Sequence, residues 1–87
     1  MIIWDEEKNT RLKLERNISF EQISRLILDG DFIDILEHPK RPEQQIFVVE
    51  INRYIYAVPF VVDEFKNIIL KTGFPSRKLQ KKYRGTE

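Results

Sequence analysis

The sequence predicts an α+β domain with two N-terminal helices, a four-stranded antiparallel sheet and a short basic helix at the C-terminal end. Three observations support this prediction. A helix-capping signature begins at Ser19, alternating apolar residues follow over residues 31–74, and residues 71–84 contain several cations and no acid. A chain of 87 residues has room for one hydrophobic core, so we expect a single domain over residues 1–87.

The first predicted helix follows a short apolar segment. Residues 1–4 fit one strand at a sheet edge, and Asp5 is a suitable N-cap for a helix that runs to about Arg16. Beyond Trp4, only Leu12 and Leu14 form its apolar face. We therefore expect this helix to lie on the surface of the domain.

The second helix has the clearest start and stop signals in the chain. Ser19 is an N-cap, and Gln22 three residues later completes a capping box. Ile18 and Ile23 on either side of the cap have the spacing of a hydrophobic staple. Gly30 is a suitable residue to end the helix.

The pattern changes to a period of two from residue 31 onward, which is typical of strands. The four predicted strands are residues 31–37, 45–51, 54–62 and 67–74, and a tight turn at Asn52-Arg53 joins the middle two. Both middle strands are apolar on two faces and should lie at the centre of the sheet. We expect the helices to pack on one face, which would leave the other free for binding.

The last predicted helix is basic. Ser76 is its N-cap, and Leu79 and Tyr83, four residues apart, share one face. The rest of its surface carries Arg77, Lys78, Lys81, Lys82 and Arg84. Two interpretations stay open, a phosphate-binding edge suited to RNA or a solvated helix whose charges serve only solubility.

Composition narrows the class of protein. Residues 1–43 carry 7 basic and 10 acidic side chains, whereas residues 44–87 carry 8 basic and 4 acidic ones. This asymmetry predicts an anion-binding face in the C-terminal half.

The chain has no cysteine, one histidine and no glycine-rich phosphate loop, so we expect no metal and no cofactor. The longest apolar run is too short to span a membrane, and acids at residues 5–7 argue against a signal peptide. We expect a cytoplasmic protein.

Cleavage of RNA by its own 2′-hydroxyl group is a reaction that such a chain could perform without a metal. The protein aligns the strand and stabilises charge on the phosphoryl oxygens, while aromatic side chains stack on bases. His38 is a candidate proton shuttle if its loop lies near the site. Glu50 is a further candidate. The predicted catalytic residues are Arg77, Lys78 and His38. The predicted RNA-binding residues are Lys71, Lys81, Lys82, Tyr83 and Arg53.

Both ends of the chain resemble the BrnT family of bacterial and archaeal toxins. The resemblance rests on Trp-Asp-Glu-Glu-Lys-Asn at residues 4–9, on Arg-Asn-Ile-Ser-Phe-Glu at residues 16–21, and on Ser-Arg-Lys at residues 76–78. It implies a RelE-like fold and a ribonuclease toxin that blocks translation. It also implies a hetero-oligomer with a small DNA-binding antitoxin, with Arg77 and Lys78 in the family's basic site.

The chain departs from the family pattern at two places. Residues 43–46 read Glu-Gln-Gln-Ile where the family has Glu-Arg-aromatic, so Gln45 replaces an expected arginine. Residues 15–17 read Glu-Arg-Asn where the family has a basic residue and then a histidine. A non-catalytic module that binds nucleic acid or protein is therefore the alternative function.

Overall fold

A computed structural model describes residues 1–85, and its helices and strands follow the predicted order. The elements are β1 (Ile2–Ile3), α1 (Glu6–Arg16), α2 (Phe20–Leu28), β2 (Asp34–Glu37), β3 (Gln45–Ile51), β4 (Tyr54–Val62), β5 (Ile68–Leu70), β6 (Phe74–Pro75) and α3 (Arg77–Arg84). The α+β class is confirmed. None of the helices in residues 1–85 is long and apolar enough to cross a membrane.

The sheet has six strands and mixed pairing, whereas the sequence predicted four antiparallel strands. Its order is β1-β5-β4-β3-β2, with β6 also paired to β4. Successive strands from β2 to β5 pair antiparallel, and β1 adds a parallel pair at the edge, opposite β5. The central hairpin closes with a two-residue turn at Asn52 and Arg53, whose φ angles are 52° and 64°. Two positive φ angles are typical of the hairpin turn that matches the right-handed twist of the flanking strands.

A β-bulge at residues 71–73 interrupts the fourth predicted strand by inserting one extra residue. Phe60 on β4 lies opposite Leu70, but Ala57 lies opposite Phe74, so the three bulge residues stand against two residues of β4. The strand therefore appears as two pieces, β5 and β6. Because side chains alternate between faces, the extra residue moves everything after it to the opposite face of the sheet.

The main core lies between one face of the sheet and the two N-terminal helices. The Phe47 ring stacks on Phe60 at a centroid distance of 4.2 Å and meets the edge of Phe32 at 5.2 Å. Alternate residues of β3 and β4 form the floor of this core, and buried residues of α1 and α2 with their connection form its roof: Leu12, Ile18, Phe20 and Ile23.

Asn9 joins α1 to the start of α2 through its buried amide. Its Oδ1 accepts the backbone N–H of Phe20 at 2.8 Å, and its Nδ2 donates to Glu21 at 2.8 Å and to Glu6 at 3.2 Å. Asn9 has no exposed surface, so these bonds satisfy a side chain that water cannot reach. The two helices are consequently held in one orientation over the sheet.

The expectation that the helices leave one face of the sheet free was wrong. Val48, Ile55 and Ala57 are buried on the face opposite the main core, and α3 crosses that face. Gln80 is only 6% exposed, and its side-chain Oε1 accepts the backbone N–H of Ile55 at 3.0 Å. The bulge explains why this face is covered, because the extra residue directs the chain after β5 to the face opposite the main core, where α3 follows.

The end of α3 is attached to the sheet by polar contacts. The Tyr83 hydroxyl donates to Asp34 Oδ2 at 2.7 Å, and Arg84 forms an ion pair with Glu50. The hydrogen bond from Tyr83 is the main reason that the pKa of Asp34 lies below its ordinary value, and the same bond raises the pKa of Tyr83.

Replacing Tyr83→Phe is expected to lower the thermal midpoint at neutral pH. The lowered pKa of Asp34 means that its contribution is present above the ordinary pKa of 3.8 and is lost as pH falls through the folded-state value. The difference between wild type and variant should therefore shrink below about pH 4. Thermal melts from pH 7 to pH 2 measure it. Tyr54→Phe is the control, and a difference that is equal at every pH would contradict the prediction.

Candidate functional site

A cleft of about 450 Å³ lies between α1, the loop that joins β2 to β3, and the bulge. We call it the basic cleft. Its lining residues are Lys8, Arg11, Leu12, Glu15, Arg16, His38, Arg41, Gln44, Pro59, Lys71, Thr72 and Phe74. Five of these are lysines or arginines, so positive charge from three separate parts of the chain converges on one depression.

Helix α1 supplies the largest share of the charge. Lys8, Arg11 and Glu15 recur at intervals of three and four residues, which places them along one side of the helix. Leu12 between them is buried in the main core and holds that side of the helix against the sheet. The cationic side chains consequently project from a fixed surface and not from a mobile loop.

Most of the charged side chains in the cleft have no protein partner. Within residues 1–85, no ion pair or side-chain hydrogen bond engages Lys8, Arg11, Glu15, Arg41 or Lys71. Cations held close together repel one another, and an anion bound between them would remove that repulsion. The cleft is therefore suited to a ligand with negative charge.

Arg16 has a structural role in the same place. Its Nη1 donates to the backbone carbonyl of Gly73 at 2.7 Å, which attaches the C-terminal end of α1 to the bulge. A Cβ atom on Gly73 would lie 3.3 Å from Ile23 Cδ1 and 3.5 Å from Ile18 Cδ1. The bulge backbone thus packs directly against the main core, and this contact fixes one wall of the cleft.

His38 organises the loop on the other wall. Its Nδ1 accepts backbone N–H groups from Lys40 at 3.1 Å and Arg41 at 3.2 Å. The neutral ring therefore carries its proton on Nε2 and presents an N–H donor. A proton shuttle would have to give up the Nδ1 bonds to take a second proton, so this geometry favours hydrogen-bond donation over the predicted shuttle.

The structure separates the predicted site residues into three groups. His38 and Lys71 line the basic cleft. Tyr83 is half-buried and donates to Asp34, and Glu50 pairs with Arg84. The remaining predicted residues are exposed and lie outside the residues that line the cleft: Arg53, Arg77, Lys78, Lys81 and Lys82. Ser76 is the N-cap of α3, as predicted, since its Oγ accepts the Leu79 N–H at 3.2 Å.

The sequence analysis missed most of the residues that form the cleft. The missed charged residues are Lys8, Arg11, Glu15, Arg16 and Arg41. The spacing of Lys8, Arg11 and Glu15 on a predicted helix was a usable signal, because it places them on one side of that helix. No pattern in the sequence indicated that the loop containing Arg41 would face that helix.

Comparison of the chain with protein-family models, with curated proteins and with solved structures finds no match.

Among residues 1–85, no group of three or more histidine, aspartate and glutamate side chains is placed to hold a metal ion.

Replacing Gly73→Val is expected to lower the free energy of unfolding by about 1–3 kcal/mol, because the added methyl groups would overpack the contact with Ile18 and Ile23. Urea denaturation measures the effect. Gly73→Ala is the graded comparison, and it should have the smaller effect because a single Cβ meets the ends of flexible side chains. Two variants as stable as wild type would show that the bulge does not need close packing at this position.

Proposed function

We propose that this protein is the toxin of a type II toxin–antitoxin system, a metal-independent endoribonuclease that inhibits translation in the cytoplasm. The observation that carries the proposal is the convergence of unpaired cations and His38 in one cleft. The terminal sequence motifs and the order of the elements support a RelE-like arrangement as part of the same proposal.

The cleft offers groups that can bind the phosphate and stabilise the charge that develops on it in such a reaction. The 2′-hydroxyl oxygen attacks the adjacent phosphorus and releases its proton to solvent. The bond to the 5′ oxygen breaks, and the 5′ oxygen takes up a proton from solvent, so the products are a 2′,3′-cyclic phosphate and a 5′-hydroxyl. Arg11 and Arg41 can each offer a planar fork to phosphate oxygens, and Lys71 adds a further positive charge. The Nε2–H group of His38 would donate to a phosphoryl oxygen that gains charge in the transition state.

The exposed side of α3 is the proposed surface for the antitoxin. Arg77, Lys78 and Lys81 form no ion pair within the described residues. A partner with acidic side chains would complement this surface, and occupation of α3 together with the cleft would inhibit cleavage. The toxin and its antitoxin would form a hetero-oligomer that binds operator DNA through the antitoxin.

A non-catalytic RNA-binding module is the second candidate function. Gln45 replaces the arginine that the resembled family has in this strand, and it is exposed at the start of β3. The engaged Nδ1 of His38 also leaves the described cleft without a ring nitrogen ready to accept a proton. Cleavage of single-stranded RNA in the presence of EDTA distinguishes the two functions, since a binding module would leave the strand intact.

RNA binding is expected to depend on the cleft and not on α3. The cleft variant combines Lys8→Ala, Arg11→Ala and Arg41→Ala. The α3 variant combines Lys78→Ala, Lys81→Ala and Lys82→Ala, which makes the same change in charge. The cleft variant should weaken binding to single-stranded RNA and reduce the log–log salt slope by about 2, since each lost phosphate contact removes about 0.7. Fluorescence anisotropy from 50 to 200 mM salt measures both quantities.

The result that would contradict this prediction is the reverse pattern, in which the α3 variant loses affinity and salt dependence while the cleft variant binds as wild type does. Circular dichroism of the two variants provides the control for folding.

His38→Asn is expected to slow RNA cleavage by about 100- to 1000-fold, the usual effect of removing one preorganised donor, while RNA affinity changes little. The Asn side-chain oxygen can replace Nδ1 as the acceptor for the loop N–H groups, so the loop should keep its shape. Single-turnover cleavage with EDTA measures the rate. If Arg77→Ala abolishes cleavage and His38→Asn does not, the chemistry belongs to the start of α3.

A further inference from the structure

We propose that Glu15 recognises the ribose 2′-hydroxyl group and thereby makes the basic cleft selective for RNA over DNA. This inference rests on the proposed function, and it names a residue that distinguishes the two nucleic acids. Glu15 is the only carboxylate among the residues that line the cleft.

The surroundings of Glu15 point to a ligand with a hydrogen-bond donor. The residue follows Arg11 by four positions on α1 and directly precedes Arg16. In residues 1–85 its carboxylate takes part in no ion pair and accepts no hydrogen bond, although three cations lie on the same helix side or next to it. A carboxylate can only accept hydrogen bonds, so a partner for it must carry an N–H or O–H group.

A carboxylate in a phosphate-binding cleft opposes the binding of phosphate unless the ligand compensates for it. The 2′-hydroxyl is adjacent to a phosphate in every nucleotide of RNA and is absent from DNA, so it can serve as that donor whatever the base sequence. Four residues of α1 span about 6 Å, which places Arg11 and Glu15 close enough to contact neighbouring groups of one nucleotide. Lys8 and Arg11 would hold the phosphate while Glu15 accepts from the hydroxyl.

This arrangement predicts opposite changes for the two nucleic acids. In wild type, RNA should bind about 10- to 100-fold more tightly than DNA of the same sequence, the range expected for a hydrogen bond to a charged group. Glu15→Ala should weaken RNA binding, because the hydroxyl loses its acceptor. The same change should strengthen DNA binding, because the carboxylate no longer repels phosphate.

The experiment measures the affinities of single-stranded octamers of one sequence, made as RNA, 2′-O-methyl RNA and DNA, for wild type and for Glu15→Ala. The 2′-O-methyl strand keeps the ribose but has no donor, so it should bind wild type as weakly as DNA does. Glu64→Ala is the matched control, because Glu64 is an exposed carboxylate outside the cleft. Because the proposed function would cleave the RNA strand, every protein in this comparison, wild type included, also carries His38→Asn, which is expected to slow cleavage while RNA affinity changes little. Denaturing gels confirm that the RNA stays intact during the measurement.

Each outcome supports or overturns the assignment. Opposite changes for RNA and DNA in Glu15→Ala, with no such change in Glu64→Ala, support it. Equal strengthening for both nucleic acids overturns it and shows that Glu15 only repels phosphate. Equal binding of RNA and DNA to wild type also overturns it but leaves the cleft as an anion site. Absence of binding to either strand overturns the proposed function itself.

Discussion

The extra residue in the bulge at residues 71–73 is the constraint on which the packing against both faces of the sheet depends. Before the bulge, the chain pairs with β4 in one register, and after it the register differs by one residue. This shift carries the chain to the face that α3 covers, where Gln80 accepts the N–H of Ile55. On the other side, Gly73 packs against Ile18 and Ile23, and its backbone carbonyl accepts a hydrogen bond from the Arg16 guanidinium. Bulges of this kind commonly re-aim side chains next to functional sites.

The basic cleft combines rigid support with charge that the protein does not neutralise. The Arg16 side chain donates to the backbone carbonyl of Gly73. Within residues 1–85, no ion pair or side-chain hydrogen bond engages the other four cations: Lys8, Arg11, Arg41 and Lys71. An anion bound among them would relieve their mutual repulsion. The charge of the two chain halves was misleading here, since all of these cations except Lys71 come from the half that is acidic overall.

Signals that act over a few residues predicted the fold well. The caps at Asp5, Ser19 and Ser76 all accept backbone N–H groups in the structure, and the two central strands have the predicted bounds. A side-chain oxygen can reach only the next few N–H groups, and strand alternation is set by each residue and its neighbours. Nothing local marked the bulge, because its extra residue is defined by the register against a strand ten or more residues away.

The sequence by itself determined the three helices, the central hairpin, the order of the elements and the presence of a basic segment at residues 71–84. Only the tertiary structure decided which cations lie together. Lys8 and Lys71 are 63 positions apart and line one cleft because α1 packs beside the bulge, whereas Arg77 follows Lys71 by 6 positions and lies outside it. A site made of side chains from distant segments depends on how those segments pack, and packing is a property of the whole core.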